Sequence, residues 1–378
     1  MTQRKIAIVH GLKQGGAHRR LVETLHSLSD EIQEFTLSDA DTCTPDAVVV
    51  KVWTIAKRLP HIFRPPFRYL DYVLRRFAYF KLSRAIDAWG PDAVFMNPCH
   101  ILKSPTLSKP QLAKAVFWLD EFPRSLEMDE FRGTTRPFTR SIYAPLREFA
   151  RSSNRRIIKA SAVVLTSSRY MADLISEVYE RPVVPEKCGV SAEFSCVSDN
   201  EKRNYIISVG SLIPGKGHDL TIKGLGQSGL NLGLVIVTHQ PNHDEIERLN
   251  DIASQVGVTV SFEFGVSDSE LANLYRHALF TSYLATLEPF GLVSIESQAC
   301  GTPALVSREG GLMETLLEGQ TGLSVRRNVN DVARAMIQIA SWAATAETRR
   351  ACCDFGQSWH WEETAESVSR HLERIQNA

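Results

Sequence analysis

Short apolar runs alternate with longer amphipathic stretches almost from the start of the chain. Lys5–His10 (KIAIVH) is one such run, and a glycine-containing turn separates it from a helical pattern over Ala17–Leu28. Asp92–Met96, Ala113–Leu119 and Ala162–Thr166 are further apolar runs, with helical periodicity over Phe67–Trp89 and Ser168–Tyr179 between them. Runs without alternation fit strands buried on both faces, and helices between them fit crossover connections, so the pattern predicts a parallel sheet. A second series begins at Tyr205. Its predicted strands are Tyr205–Gly210, Gly233–Thr238, Val258–Phe264, Leu279–Tyr283 and Pro303–Ser307. Its predicted helices are Asp219–Gly226, Asp244–Val256, Asp268–His277, Leu292–Cys300 and Leu312–Glu318. Val184–Arg203, with Pro, Gly and mixed charge, reads as the linker. The expected class is therefore α/β, with two doubly wound domains that bind ligands at the carboxyl ends of their strands.

Composition narrows the picture. A chain of 378 residues, 43% hydrophobic and 23% charged, is neither disordered nor a disulfide miniprotein. No apolar run reaches the ~18 residues of a membrane span. Met1–Lys5 leads straight into the first strand pattern, so no secretory signal is expected. Seven cysteines, an odd number without C-x-x-C spacing, fit free thiols in a reducing compartment. The expected location is cytoplasmic, with peripheral attachment to the inner membrane face left open. The zero net charge hides an asymmetry: 28 basic against 19 acidic residues up to Pro185, and 15 against 24 beyond it. Two halves of opposite sign imply two domains with different partners.

Candidate chemistry concentrates in Glu288–Gly322 (EPFGLVSIESQACGTPALVSREGGLMETLLEGQTG). Glu288 follows a predicted strand, and the turn through Pro289 and Gly291 leads into a helix beginning near Leu292. The free N–H groups and dipole of that helix offer an anion site suited to a diphosphate. Glu288 and Glu296 flank it with carboxylates, which are natural acceptors for vicinal hydroxyls. Gly310-Gly311 lets a second backbone approach, and Glu314 is expected to open the next helix.

EPFGL, the small-residue helix ending in CGTP, GG-x-x-E and G-x-T-G thus occur in order. Together they resemble the donor-binding half of glycosyltransferase family 4. Val209–Asp219 (VGSLIPGKGHD) is similar to that family's phosphate loop, Gly189–Phe194 (GVSAEF) to its linker, His10–Ala17 to its N-terminal Gly-Gly loop, and Trp361-Glu362 to its final helix. The resemblance implies a GT-B architecture: two Rossmann-like domains, 1–186 for the acceptor and 187–357 for the donor, facing a central cleft. Residues 358–378 would return to the first domain. It also implies a retaining hexosyltransferase using a UDP- or GDP-sugar as substrate, with no other cofactor. Its acceptor would be a glycan, a lipid-linked or another anionic molecule.

By the same resemblance Lys216 neutralises the leaving diphosphate, Glu288 contacts the hexose hydroxyls, and Glu296 contacts the ribose. The backbone N–H groups of Phe290, Gly291 and Leu292 would grip sugar or phosphate, with Gly16, Gly310, Gly311 and Glu314 completing the donor site. Two departures stand out. Ser211 occupies a position where the family usually has an Arg, a bidentate phosphate ligand that serine cannot replace. Asp120, in Phe117–Arg124 (FWLDEFPR), stands where a His is common; it fits either a catalytic contact or a strand-end cap. These departures keep open a nucleotide-sugar epimerase and a non-catalytic nucleotide-sugar-binding protein.

The Gly15-Gly16 loop lacks G-x-G-x-x-G spacing, against NAD binding. Asp39-Ala40-Asp41 lies far from the phosphate loops, and Pro241 separates His239 from His243, so no metal is expected. Lys51–Arg84 holds nine basic residues against Asp71 alone, with Trp53, Phe63, Phe67, Tyr69, Tyr72, Phe77, Tyr79 and Phe80 interleaved. Two readings stand: an acceptor or anionic-membrane surface carried by Arg68, Arg75 and Arg76, or a core helix with Leu70, Val73, Leu74 and Phe77 inward. No nucleic-acid-binding module accompanies the patch.

Overall fold

The computed structural model describes residues 4–55, 64–99, 102–120, 122–123, 127, 137–197 and 203–376; the side chains of 64–66, 68 and 137–143 lie outside that description. Arg68 is one of these, so its expected surface role falls outside the described residues. Two compact units divide the chain: Met1–Lys187 with Glu362–Ala378, and Cys188–Trp361.

The first unit runs β1 (Lys5–Gly11), α1 (Gly16–His26), β2 (Glu31–Leu37), β3 (Val48–Val50), α2 (Arg64–Trp89), β4 (Ala93–Cys99) and α3 (Lys109–Ala113). It continues through β5 (Ala115–Trp118), α4 (Pro137–Ala160), β6 (Val163–Thr166), α5 (Arg169–Tyr179) and β7 (Val184–Pro185). The strands form one parallel sheet in the order β3-β2-β1-β4-β5-β6-β7. Ile6–Val9 and Ala93–Met96 are wholly buried, which is why those segments read as unbroken apolar runs.

The second unit repeats the plan. Its elements are β8 (Tyr205–Val209), a 3-10 turn Pro214–Lys216, α6 (His218–Ser228), β9 (Gly233–Thr238), α7 (His243–Val256), β10 (Val260–Phe264), α8 (Asp268–His277) and β11 (Thr281–Tyr283). Then come α9 (Leu292–Ala299), β12 (Ala304–Ser307), a 3-10 turn Gly310–Glu314, β13 (Gly322–Val325), α10 (Val329–Ala340) and α11 (Ala346–Gly356). The sheet order is β10-β9-β8-β11-β12-β13, all parallel. Each sheet reverses its winding once, at β1/β4 and at β8/β11. Ligands of doubly wound folds sit at such switch points. The last helix, α12 (Trp361–Gln376), packs on the first unit: Thr364 Oγ1 donates to the Lys187 carbonyl (2.7 Å), and Ser367 Oγ to Glu186 (2.8 Å).

Three expectations are corrected. The segment Leu312–Glu318 is not a helix. The turn Gly310–Glu314 stops because Thr315 donates its hydroxyl back to the Leu312 carbonyl (2.8 Å), so Glu314 closes a turn rather than opening a helix. Cys196 and Cys353, 157 residues apart, form a disulfide and are not free thiols. Finally, α2 turns a different face inward: Tyr72, Arg75, Ala78, Tyr79, Leu82 and Ile86 are buried, whereas Leu70, Val73, Phe77 and Phe80 are exposed. Arg75 cannot serve on a surface. It is 4% exposed and donates to Asp39 at 2.7 Å, because an arginine facing the sheet must find a carboxylate.

Candidate active site

At the β8/β11 switch point the loops after both strands converge. The 3-10 turn after β8 aims Lys216 across the strand ends, where Nζ donates to Glu288 Oε2 (2.8 Å) and to the Tyr283 hydroxyl (3.1 Å). Burial alone would lower the Lys216 pKa, but Tyr283 and Glu288 outweigh it and hold the ammonium above its ordinary value. Burial, reinforced by the Glu288 charge, raises Tyr283, which therefore stays a neutral phenol.

Glycines fix this geometry. Gly310 has φ 69°, and a Cβ there would collide with the Glu288 carbonyl; the next N–H, of Gly311, donates to that carbonyl at 2.8 Å. Gly217, at φ 76°, presses against the Leu284 carbonyl in the same way. Gly291, at φ 120°, caps α9 and packs so closely on Leu312 that a Cβ would clash. The N-terminus of α9 therefore opens directly after Glu288.

The other predicted residues take varied places. The Phe290 ring is buried edge-on against Trp359 (5.5 Å between centroids), leaving only its backbone for a ligand. Glu296 is 4% exposed, and the Tyr275 hydroxyl lies 3.5 Å from its carboxylate, so it is no ordinary surface residue. Ser211 is exposed, and its carbonyl faces His218 Nε2 at 3.3 Å. His218 was not singled out by motif. It is buried beneath the phosphate-type loop with Nδ1 2.9 Å from the Ser208 hydroxyl, and burial pushes its pKa below the ordinary value despite the Ser211 and Gly210 carbonyls.

The sequence pattern of Glycosyl transferases group 1 matches residues 193–359, which span this whole arrangement. A D-inositol 3-phosphate glycosyltransferase of Acidothermus cellulolyticus is 32% identical over 177 residues, 43% of this chain and 39% of that protein. The chain thus spans about two fifths of the length of the curated relatives it matches. Sucrose-phosphate synthase from Thermosynechococcus elongatus shares the fold over 99% of both chains, with TM-score 0.73 and 17% identity. Anabaena HepE, solved with UDP, shares it over 98% of this chain and all of its own, with TM-score 0.71 and 14% identity. The architecture is therefore GT-B.

Outside the group 1 segment, the first unit has its own polar cluster at the β1/β4 switch point. Arg20, on α1, is 1% exposed and grips Asp120 with two bonds, Nε at 2.6 Å and Nη2 at 2.8 Å. Nη2 also donates to Asn97 on β4, and the guanidinium stacks on Trp118 at 4.2 Å. Asp120 is thus a committed ion-pair partner, a role missed because Arg20 is 100 residues away. Gly16 starts α1 after Gly15, which caps it at φ 150°. The Asp39-Ala40-Asp41 carboxylates diverge: Asp39 accepts from Arg75, Asp41 from the Gln14 N–H (2.8 Å).

Proposed function

We propose that this protein is a retaining glycosyltransferase that moves a hexose from a UDP- or GDP-sugar to an acceptor held by the first unit. The observation that carries the reading is the Lys216–Glu288 pair at the mouth of α9. An ammonium and a helix N-terminus converge where a diphosphate would develop charge on leaving, with a carboxylate beside them for sugar hydroxyls. When donor binds, its phosphate takes over Lys216 and frees Glu288 for the hexose. Glu296 would receive the ribose, and the backbone of Phe290, Gly291 and Leu292, with Gly310, Gly311 and Glu314, would frame the donor. The diphosphate would assist deprotonation of the acceptor, and the protein would supply positioning and charge. HepE is solved with UDP and with UDP-glucose, which makes UDP the first nucleotide to test.

Titration calorimetry against UDP and GDP, followed by donor-turnover assays, tests this. Glu296→Ala should weaken nucleotide binding and Glu288→Ala should mainly lower turnover. Unchanged kinetics in both would sink the assignment. Nucleotide binding without turnover on any donor would instead favour the non-catalytic reading, and release of a free sugar epimer the epimerase reading.

For the acceptor, an anionic membrane surface on α2 would keep Arg76 of the arginines first expected and draw on the exposed apolar side chains beside it. Leu70, Val73, Phe77 and Phe80 project outward, Phe77 64% exposed, beside exposed Lys81 and Arg84. Arg76 stacks on the exposed Phe149 at 5.2 Å. Apolar wedges flanked by cations suit lipid headgroups, and no described helix is long and apolar enough to cross a membrane. Phe77→Ser with Phe80→Ser should reduce sedimentation with phosphatidylglycerol vesicles several-fold; equal sedimentation would rule the surface out.

A further inference from the structure

Four side chains beside the Gly15–Gly16 loop take no part in the proposed transfer. His10 ends β1 and Glu34 lies on β2, both fully buried; Cys43 follows β2, and His18 lies in the first turns of α1. The donor atoms of His10, Glu34 and Cys43 face one another, and His18 reaches Cys43. His10 Nε2 is 2.8 Å from Glu34 Oε1 and 3.9 Å from Cys43 Sγ, and Cys43 Sγ is 3.6 Å from His18 Nε2. The ligand atoms of His10, Glu34 and Cys43 all lie within 4.8 Å of one another.

We infer that His10, His18, Glu34 and Cys43 form a binding site for a divalent cation of the zinc class. Ligands at the ~2.0–2.3 Å distances of tetrahedral zinc sit about 3.3–3.8 Å from each other, so the three separations above need to change by about half an ångström or less, while His18, outside the group of three, would turn in as the fourth ligand. Nitrogen and sulfur ligands with one carboxylate are a set that zinc accepts, and a thiolate with a carboxylate balances a divalent charge. The site is also braced from outside. The second Glu34 oxygen accepts from the Cys43 N–H (2.9 Å), the Thr44 N–H (2.7 Å) and the Thr44 hydroxyl (3.0 Å), which orients the carboxylate without occupying its inward oxygen.

Binding carries a defined exchange. The Cys43 thiol gives its proton to solvent, and the Nε2 protons of His10 and His18 pass by way of solvent to the Nδ1 atoms of the same rings; coordinate bonds from Sγ and both Nε2 atoms replace the three bonds to hydrogen. The buried bond between His10 Nε2 and Glu34 Oε1 (2.8 Å), the weak one from the Leu12 N–H to His10 Nδ1 (3.3 Å) and that between His18 and the Asp41 carbonyl (3.2 Å) are lost. Such hydrogen bonds contribute little beside a structural metal. The ion would tie the ends of β1 and β2 to the start of α1 and so fix the Gly15–Gly16 loop. This inference does not rest on the transferase reading.

The test uses the full chain stripped with EDTA and titrated with Co2+, then Zn2+, followed by absorbance and metal content. Wild type should bind about one ion per chain and show a thiolate-to-cobalt charge-transfer band, and zinc should raise its melting temperature. Cys43→Ser should abolish the band, and His18→Ala, on a half-exposed helix face, should weaken affinity by about 10–100-fold. The melting temperature of the metal-free variants separates lost binding from lost folding; if Cys43→Ser fails to fold, His18→Ala alone decides. Absence of the band in wild type, or equal affinity in wild type and His18→Ala, overturns the site.

Discussion

The two sheets share one strand order, yet their switch points are built in opposite ways. At β8/β11 the charges are half-exposed and held by backbone: Lys216 and Glu288 meet with side chains 23% and 20% exposed, steered by Gly217, Gly291 and Gly310. At β1/β4 the charges are held by each other, Arg20 at 1% exposure against Asp120 at 15%, under an indole face. An ion pair open to solvent can be exchanged for a ligand at small cost, whereas a buried one resists removal of either partner. The second unit keeps its charges available; the first uses its charges as structure.

The largest effect should come from breaking the buried pair. Arg20→Met leaves Asp120 and Asn97 without their cation and should cost about 3–5 kcal/mol in urea unfolding. The double variant Arg20→Met with Asp120→Leu should recover most of that. If the single change is as mild as a surface substitution, the contrast between the switch points fails. Next, Lys216→Ala should leave unfolding nearly unchanged but lower turnover about 10²–10³-fold; a large loss of stability instead would make Lys216 structural too. The smallest effect concerns His218. Burial lowers its pKa from the ordinary 6.5, so the folded state resists a proton that the unfolded chain accepts. Its contribution is full above pH 6.5 and is lost as pH falls from there through the lowered native value. The His218→Gln variant should lack that part of the acid-side decline, measured as urea midpoint against pH.

The legible parts of the molecule were those whose signal is local. Buried parallel strands such as Ile6–Val9 announce themselves by continuous apolarity, and the run from Glu288 to Gly311 carries its own turn glycines. Charged alternation hid β2 (EIQEFTL), and Pro145 hid α4, a 24-residue helix. The pairings that define the first unit's polar centre were beyond reach because they join distant residues: Arg20 with Asp120, Arg75 with Asp39, and Glu34 with His10 and Cys43. The orientation of α2 was missed for a related reason. Its aromatics lie on every side, and the inward face carries Arg75, whose partner Asp39 lies 36 residues away.

The path of the chain has a consequence for how the protein is made. Helix α12 belongs to the unit that contains the first strand, anchored by Arg4 on Ser369 (2.8 Å) and by Glu186 on His371 (3.0 Å). On the ribosome the interior unit therefore emerges complete while its host still lacks a piece. The earliest-synthesised half must wait, with the docking face of α12 uncovered, until translation has reached the 370s. A released chain ending after Trp361 would carry a complete second unit and an incomplete first one.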